Sequence, residues 1–168
     1  MLNKKIEKII NEQMNFEIYS GYIYLAMSAY MDSIDLPGFA NWMRAQWEEE
    51  FYHAMKMYNY LVERGGRPVF STVPEPPKTW KSAKAAFENA LEHEQIVTGR
   101  INDIMDAAIK ENDHATKSFI NWYIDEQVEE EASVDSIIKK LNLMKESGHG
   151  IFMLDKELGE RTFTPDED

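Results

Sequence analysis

Glu50 and His53 stand three residues apart in the stretch WEEEFYH, residues 47–53. On a helix that spacing sets a carboxylate and an imidazole on one face, on adjacent turns, where they can bind a cation or move a proton. Gln127 and Glu130 repeat the spacing later in the chain. Their placement gives these pairs meaning. Lines drawn every seven residues, the interval of side chains that share a bundle-facing seam, run Ile10, Glu17, Tyr24, Met31; Leu36, Met43, Glu50, Met57; and Trp80, Phe87, Glu94, Ile101, Ala108. Two adjacent lines follow, Ile120, Gln127, Val134, Leu141 and Tyr123, Glu130, Ile137, Met144. Each is apolar except near its middle. In a bundle of equal helices, four carboxylates, an amide and His53 therefore meet at one height.

A buried, uncompensated carboxylate costs several kcal/mol, and four together would exceed the roughly 5–15 kcal/mol by which a domain is stable. No lysine or arginine stands in these core lines, so no internal cation is expected. Protons relieve part of the repulsion in an empty site. Two divalent ions, or two ferric ions sharing an oxide, match the charge of Glu17, Glu50, Glu94 and Glu130. An oxygen-rich set with one imidazole suits iron or manganese, and zinc as well; spacing does not choose among them. Glu49, Glu126 and Glu129 flank the central residues in mixed lines such as Trp42, Glu49, Lys56. They form either a solvated acidic face or, where that side faces an enclosed cavity, a third and weaker metal site. Tyr24 is either a redox neighbour of the acids or an ordinary core tyrosine. His93, His114 and His149 lie off the core lines and are expected at the surface.

The elements that must position these residues follow from the prolines, glycines and caps. The spacing predicts helices over about 4–32, 37–64, 80–111, 113–146 and 151–158. Pro37 is tolerated in a first turn, Gly65-Gly66 stops the second helix, and Thr79 or Ser82 caps the third. The breaks near Ser33–Asp35 and Asn112–Asp113 only leave room to reverse direction. Residues 65–79, GGRPVFSTVPEPPKT, carry four prolines and no helical period. Extended, they reach roughly 50 Å, enough to run the length of a helix. The expected fold is all-α, an up-down-down-up four-helix bundle with a long crossover and a short fifth helix. The tail after Gly159 is expected to fray.

One domain over residues 1–168 accommodates this, with 43% hydrophobic and 12% aromatic residues. A net charge of −12 argues against nucleic acid and anionic membranes and suits cations as partners. The opening Met1–Ile6 lacks the apolar stretch of a signal peptide and the chain has no cysteine, so the expected location is the cytoplasm.

At INEQMNFEIYSGYIYLAM (residues 10–27), WEEEFYHAMKMYNYL (47–61), EHEQIVT (92–98) and WYIDEQVEEEAS (122–133) the chain resembles the ferritins, specifically the non-haem bacterial and archaeal ones. The resemblance implies Glu17, Glu50, His53, Glu94 and Glu130 as ligands of two ferroxidase irons. It sets Gln127 beside them and Glu49, Glu126 and Glu129 around a third iron. It further implies Fe(II) oxidation by O2 or H2O2 and storage of a ferric mineral inside a shell of 24 subunits. A bacterioferritin would carry histidine at 130 and a haem-binding methionine at 51, where this chain has Glu130 and Phe51; haem is not expected. A cysteine-ligated iron module, as in rubrerythrins, has no cysteines to build it. The competing reading is a structural or partner-binding bundle whose central acids are protonated or paired between subunits.

Overall fold

The computed structural model describes residues 2–145 and 147–165. Among these residues five helices follow one another: α1 Lys4–Ser33, α2 Pro37–Glu63, α3 Ala83–Lys110, α4 His114–Met144 and α5 Gly148–Leu158. Side-chain caps fix most of their starts. Asn3 accepts from the Lys5 amide, Ser82 from Ala85, Asp113 from Thr116 and Ser147 from Gly150, each satisfying a donor the first turn leaves open. Of the two candidate caps before α3, Ser82 is the one used, so α3 begins at Ala83 rather than 80. Trp80 precedes it and packs on Tyr30, ring centroids 5.4 Å apart. Ser147 likewise starts α5 at Gly148, three residues earlier than 151. The expected end of the fourth helix at 146 lies outside the described residues.

The topology follows from two tight reversals and one long strap. Asp35 and Asn112 turn the chain in left-handed conformations, φ 59° and 54°, which these short polar side chains tolerate. So α1 packs antiparallel along α2, and α3 along α4. The strap between α2 and α3 climbs α1 on a ladder of side chains. Glu7 accepts from the Arg67 amide (3.0 Å), Asn11 accepts from Val69 (2.6 Å) and donates to the Arg67 carbonyl (3.0 Å), and Asn15 accepts from Ser71 (2.7 Å) and donates to the Val69 carbonyl (2.8 Å). Four residues of helix rise about 6 Å, close to the rise of two extended residues. Steps of four on α1 thus match steps of two on the strap. The strap runs in α1's own direction and delivers α3 beside Tyr30 at the far end, giving the up-down-down-up order.

The core is split in two. Tyr24, Met27, Met31, Phe39, Met43 and Phe87 belong to one apolar cluster, and Ile6, Ile10, Met14, Met57, Leu61 and Ile101 to the other. Between them lies the polar layer. At this height Gly21 lets α1 approach α2; a Cβ there would meet Trp47 Cδ1 at 3.2 Å and Glu50 Cβ at 3.4 Å. The N-terminus of α2 has no cap of its own. Asp155 of α5 supplies one, its Oδ1 accepting from the amides of Gly38 (2.8 Å) and Phe39 (3.1 Å). The approach is close enough that a Cβ on Gly38 would fall 1.6 Å from the Asp155 carbonyl oxygen.

Removing a rung should loosen the strap. Asn11→Ala loses two hydrogen bonds to it, and chemical denaturation is expected to show about 1–2 kcal/mol less stability; an unchanged midpoint would mean the ladder is incidental.

Candidate metal centre

Glu17, Glu50, Glu94 and Glu130 are 0–4% exposed, as are His53 and Gln127, and every helix of the bundle contributes. The heptad lines explain this directly, since their apolar members pack above and below. Each carboxylate has a defined neighbour. Gln13 Nε2 donates to Glu17 Oε1 at 2.9 Å and Gln46 Nε2 to Glu130 Oε2 at 2.7 Å. Tyr24 donates its hydroxyl to Glu94 Oε1 in a short hydrogen bond, and Gln127 Nε2 reaches Glu94 Oε2 at 3.2 Å. Gln127 thus acts on Glu94. Glu17 Oε2 and Glu130 Oε1 are buried with no hydrogen-bond partner among the described residues, an arrangement that stays costly until something electropositive fills it.

The charge state of the layer follows from burial. Desolvation, then repulsion from Glu94, pushes Glu17 up to about 7, although hydrogen bonds from Gln13 and Glu50 and the charge of Arg100 oppose it. Glu50 and Glu130 lie well above the ordinary carboxylate range, through desolvation first and neighbouring carboxylates second. Glu94 is raised by desolvation, with Tyr24 and Gln127 restraining the shift. Desolvation takes His53 down to about 3. The 3.7 Å approach of His53 Nδ1 to Glu50 Oε2 is therefore not an ion pair, because the imidazole is neutral at any ordinary pH. A neutral imidazole keeps a lone pair for a metal, and Tyr123, donating to the His53 carbonyl at 2.8 Å, anchors its backbone.

On the outer side, ligand atoms of Glu49, His53, Glu126 and Glu130 all lie within 4.8 Å of one another, close enough for one ion. Glu49 and Glu126 are partly buried; Glu129 is exposed and outside this group. A cavity of about 340 Å³ opens against Glu49, His53 and Glu126. These residues fit a metal: hard oxygen donors, one neutral nitrogen and unsatisfied oxygens together.

Three expectations need correction. His93 is buried, not superficial: Ser20 hydrogen-bonds its Nε2 at 2.7 Å and Phe16 stacks on it with centroids 5.2 Å apart, while His114 and His149 are exposed. Cations do reach the acids. Arg100 Nε donates to Gln13 Oε1 at 2.6 Å, one bond behind Glu17, and Arg161 Nη2 to Glu49 Oε2 at 2.6 Å. Finally, the tail does not fray at Gly159, since Arg161 packs over Trp42, 4.2 Å from the ring centroid. Residues 166–168 of the expected frayed tail lie outside the described residues. Gln13 and Gln46 were legible, each four residues before a central glutamate; Arg161 left no signal.

The sequence pattern of the ferritin-like domain matches residues 7–144. The chain belongs to this ferritin-like family. It is 41% identical to a bacterial non-heme ferritin of Staphylococcus saprophyticus, over 99% of this chain and all of that protein. It is 39% identical to a probable bacterial non-heme ferritin-like protein of Haemophilus influenzae, over 95% and 96%. Among solved structures, an engineered closed form of the Archaeoglobus fulgidus ferritin superposes with a TM-score of 0.97 at 51% identity, covering 98% of this chain and all of that one. The open-pore ferritin of the same archaeon gives 0.96 at 50% identity, covering 96% and 100%. The ferritin fold accounts for the split core: its two apolar halves hold the polar layer apart from solvent.

Glu17 carries a testable pH dependence. Its folded-state value, about 7, exceeds the ordinary 4.5, so the folded state binds more protons. The stabilisation this gives is complete below about pH 4.5 and lost as pH rises to about 7. Metal-free Glu17→Gln should therefore gain on the native protein across that window, by on the order of 1–3 kcal/mol, in thermal melts at a series of pH values. A difference independent of pH would contradict the assignment.

Proposed function

We propose that Glu17, Glu50, His53, Glu94 and Glu130, with Gln127 beside them, bind two Fe(II) ions as substrate and that O2 or H2O2 oxidises them there. The protein is an iron-storage ferritin and a ferroxidase, and its family binds iron. The observation that carries the site assignment is the layer of four buried carboxylates around a neutral imidazole, two of whose oxygens have no partner. Incoming Fe(II) displaces the protons that burial retains on Glu17, Glu50 and Glu130. Once ionised, the carboxylates hold a trivalent ion more strongly than a divalent one, which favours oxidation. Tyr24 and Gln127 keep Glu94 oriented toward its neighbours. The second pair, Gln127 and Glu130, lacks a histidine, so one iron is held less firmly, as suits an ion in transit to a store.

A third iron belongs with Glu49, Glu126 and Glu130, bordered by exposed Glu129. Assembly of 24 copies into a shell would turn the net charge of −12 to use, concentrating cations around and within it. Among the described residues no helix is long and apolar enough to cross a membrane. We place the protein in the cytoplasm. Haem has no place in this reading.

Glu50→Ala with His53→Ala is expected to slow ferric absorbance after Fe(II) addition in air by at least the roughly 10- to 100-fold that loss of an outer-shell partner costs a metal site. Particle mass should not change. Native protein that oxidises iron no faster than buffer would refute the proposal.

A further inference from the structure

The C-terminal segment, which follows α5, lies across the outer carboxylates and carries a cation to them. Asn41 of α2 clamps it, its Nδ2 donating to the carbonyls of Leu158 (3.3 Å), Gly159 (3.3 Å) and Arg161 (2.9 Å). Phe163 closes against Tyr52, centroids 5.7 Å apart. Between these two anchors Arg161 turns inward, donates Nη2 to Glu49 Oε2 at 2.6 Å and stacks on Trp42. Its other arm, Nη1, is buried with no hydrogen-bond partner among the described residues. Arg161, Phe163 and Glu49 wall the same cavity that opens on His53 and Glu126.

Building on the metal-centre reading above, we propose that Arg161 is a resident counter-cation that competes with metal for Glu49, so that a third ion enters only by displacing it and lifting residues 159–163. Glu49 is the shared element. It accepts from the guanidinium and also belongs to the four-residue group whose ligand atoms lie within 4.8 Å of one another. A guanidinium grips a carboxylate best through two parallel hydrogen bonds. Here one arm is used and the other has no hydrogen-bond partner among the described residues, so the contact places a positive charge on Glu49 without the two-armed grip. A divalent ion brings twice the charge and draws on the carboxylates of Glu49, Glu126 and Glu130 at once, so it can win the exchange. The residue controls occupancy of the outer site: with the guanidinium seated, an ion there is held weakly and passes on.

The test uses the full-length assembled protein and Zn²⁺, a redox-silent probe, in calorimetric titrations of native protein, Arg161→Gln and Asn41→Ala. Asn41→Ala keeps the arginine but removes the clamp, and serves if Arg161→Gln disturbs folding. Arg161→Gln is expected to tighten the third equivalent of Zn²⁺ about tenfold or more and to leave the first two unchanged; Asn41→Ala should give a smaller gain. In native protein, amide hydrogen exchange across residues 159–165 should rise as the third equivalent binds. A third equivalent that is unchanged, weaker or absent in both variants, or exchange that ignores it, overturns the inference while two tight ions per subunit leave the centre standing. If native protein does not bind the first two equivalents of Zn²⁺ tightly, the centre itself fails and this inference with it.

Discussion

Four carboxylates are held in the middle of a hydrophobic core that supplies too little positive charge to match them. Most of what is distinctive here answers that constraint. Two apolar clusters fill either end of the bundle, and their packing holds the bundle together around a layer that is unfavourable when empty. Protons carry part of the load, as the raised values of Glu17, Glu50 and Glu130 indicate. Side-chain amides carry another part, Gln13 on Glu17 and Gln46 on Glu130. What remains unsatisfied among the described residues, two buried carboxylate oxygens and a neutral imidazole, is what a bound cation would satisfy.

The scaffold fixes the layer's geometry from outside. The asparagine ladder on α1 holds the strap and so sets α3, with Glu94, at the right height. Gly21 admits α2 closely enough to bring Glu50 alongside α1. Asp155 caps α2 from α5, and that contact in turn aims the C-terminal segment at Glu49. One chain of contacts therefore links the N-terminus of α2 to the outer edge of the candidate metal centre.

Much of this was legible in the sequence because heptad periodicity is a strict constraint. Glu17, Glu50, Glu94 and Glu130 interrupt lines that must otherwise be apolar, and loop lengths alone decide which helices run antiparallel. The rest depends on contacts that periodicity does not encode. Arg100 reaches Gln13 across 87 positions, and Arg161 reaches Glu49 across 112, from a stretch whose composition reads as loose tail. His93 lies off the core line yet is buried, because Phe16 and Ser20 of α1 cover it. The start of α3 turned on which of two equally good caps, Thr79 or Ser82, the chain would use.

If cations displace protons from the buried acid layer, as proposed, counting those protons tests it most directly. Anaerobic Fe(II) titrations of the metal-free protein near pH 6.5, repeated in buffers of different ionisation enthalpy, give the number released. The raised carboxyls predict more than one proton per subunit as the two ions bind, with fewer released in Glu50→Gln. Iron that binds tightly while releasing none would show that the carboxylates were already ionised, and the account would be wrong.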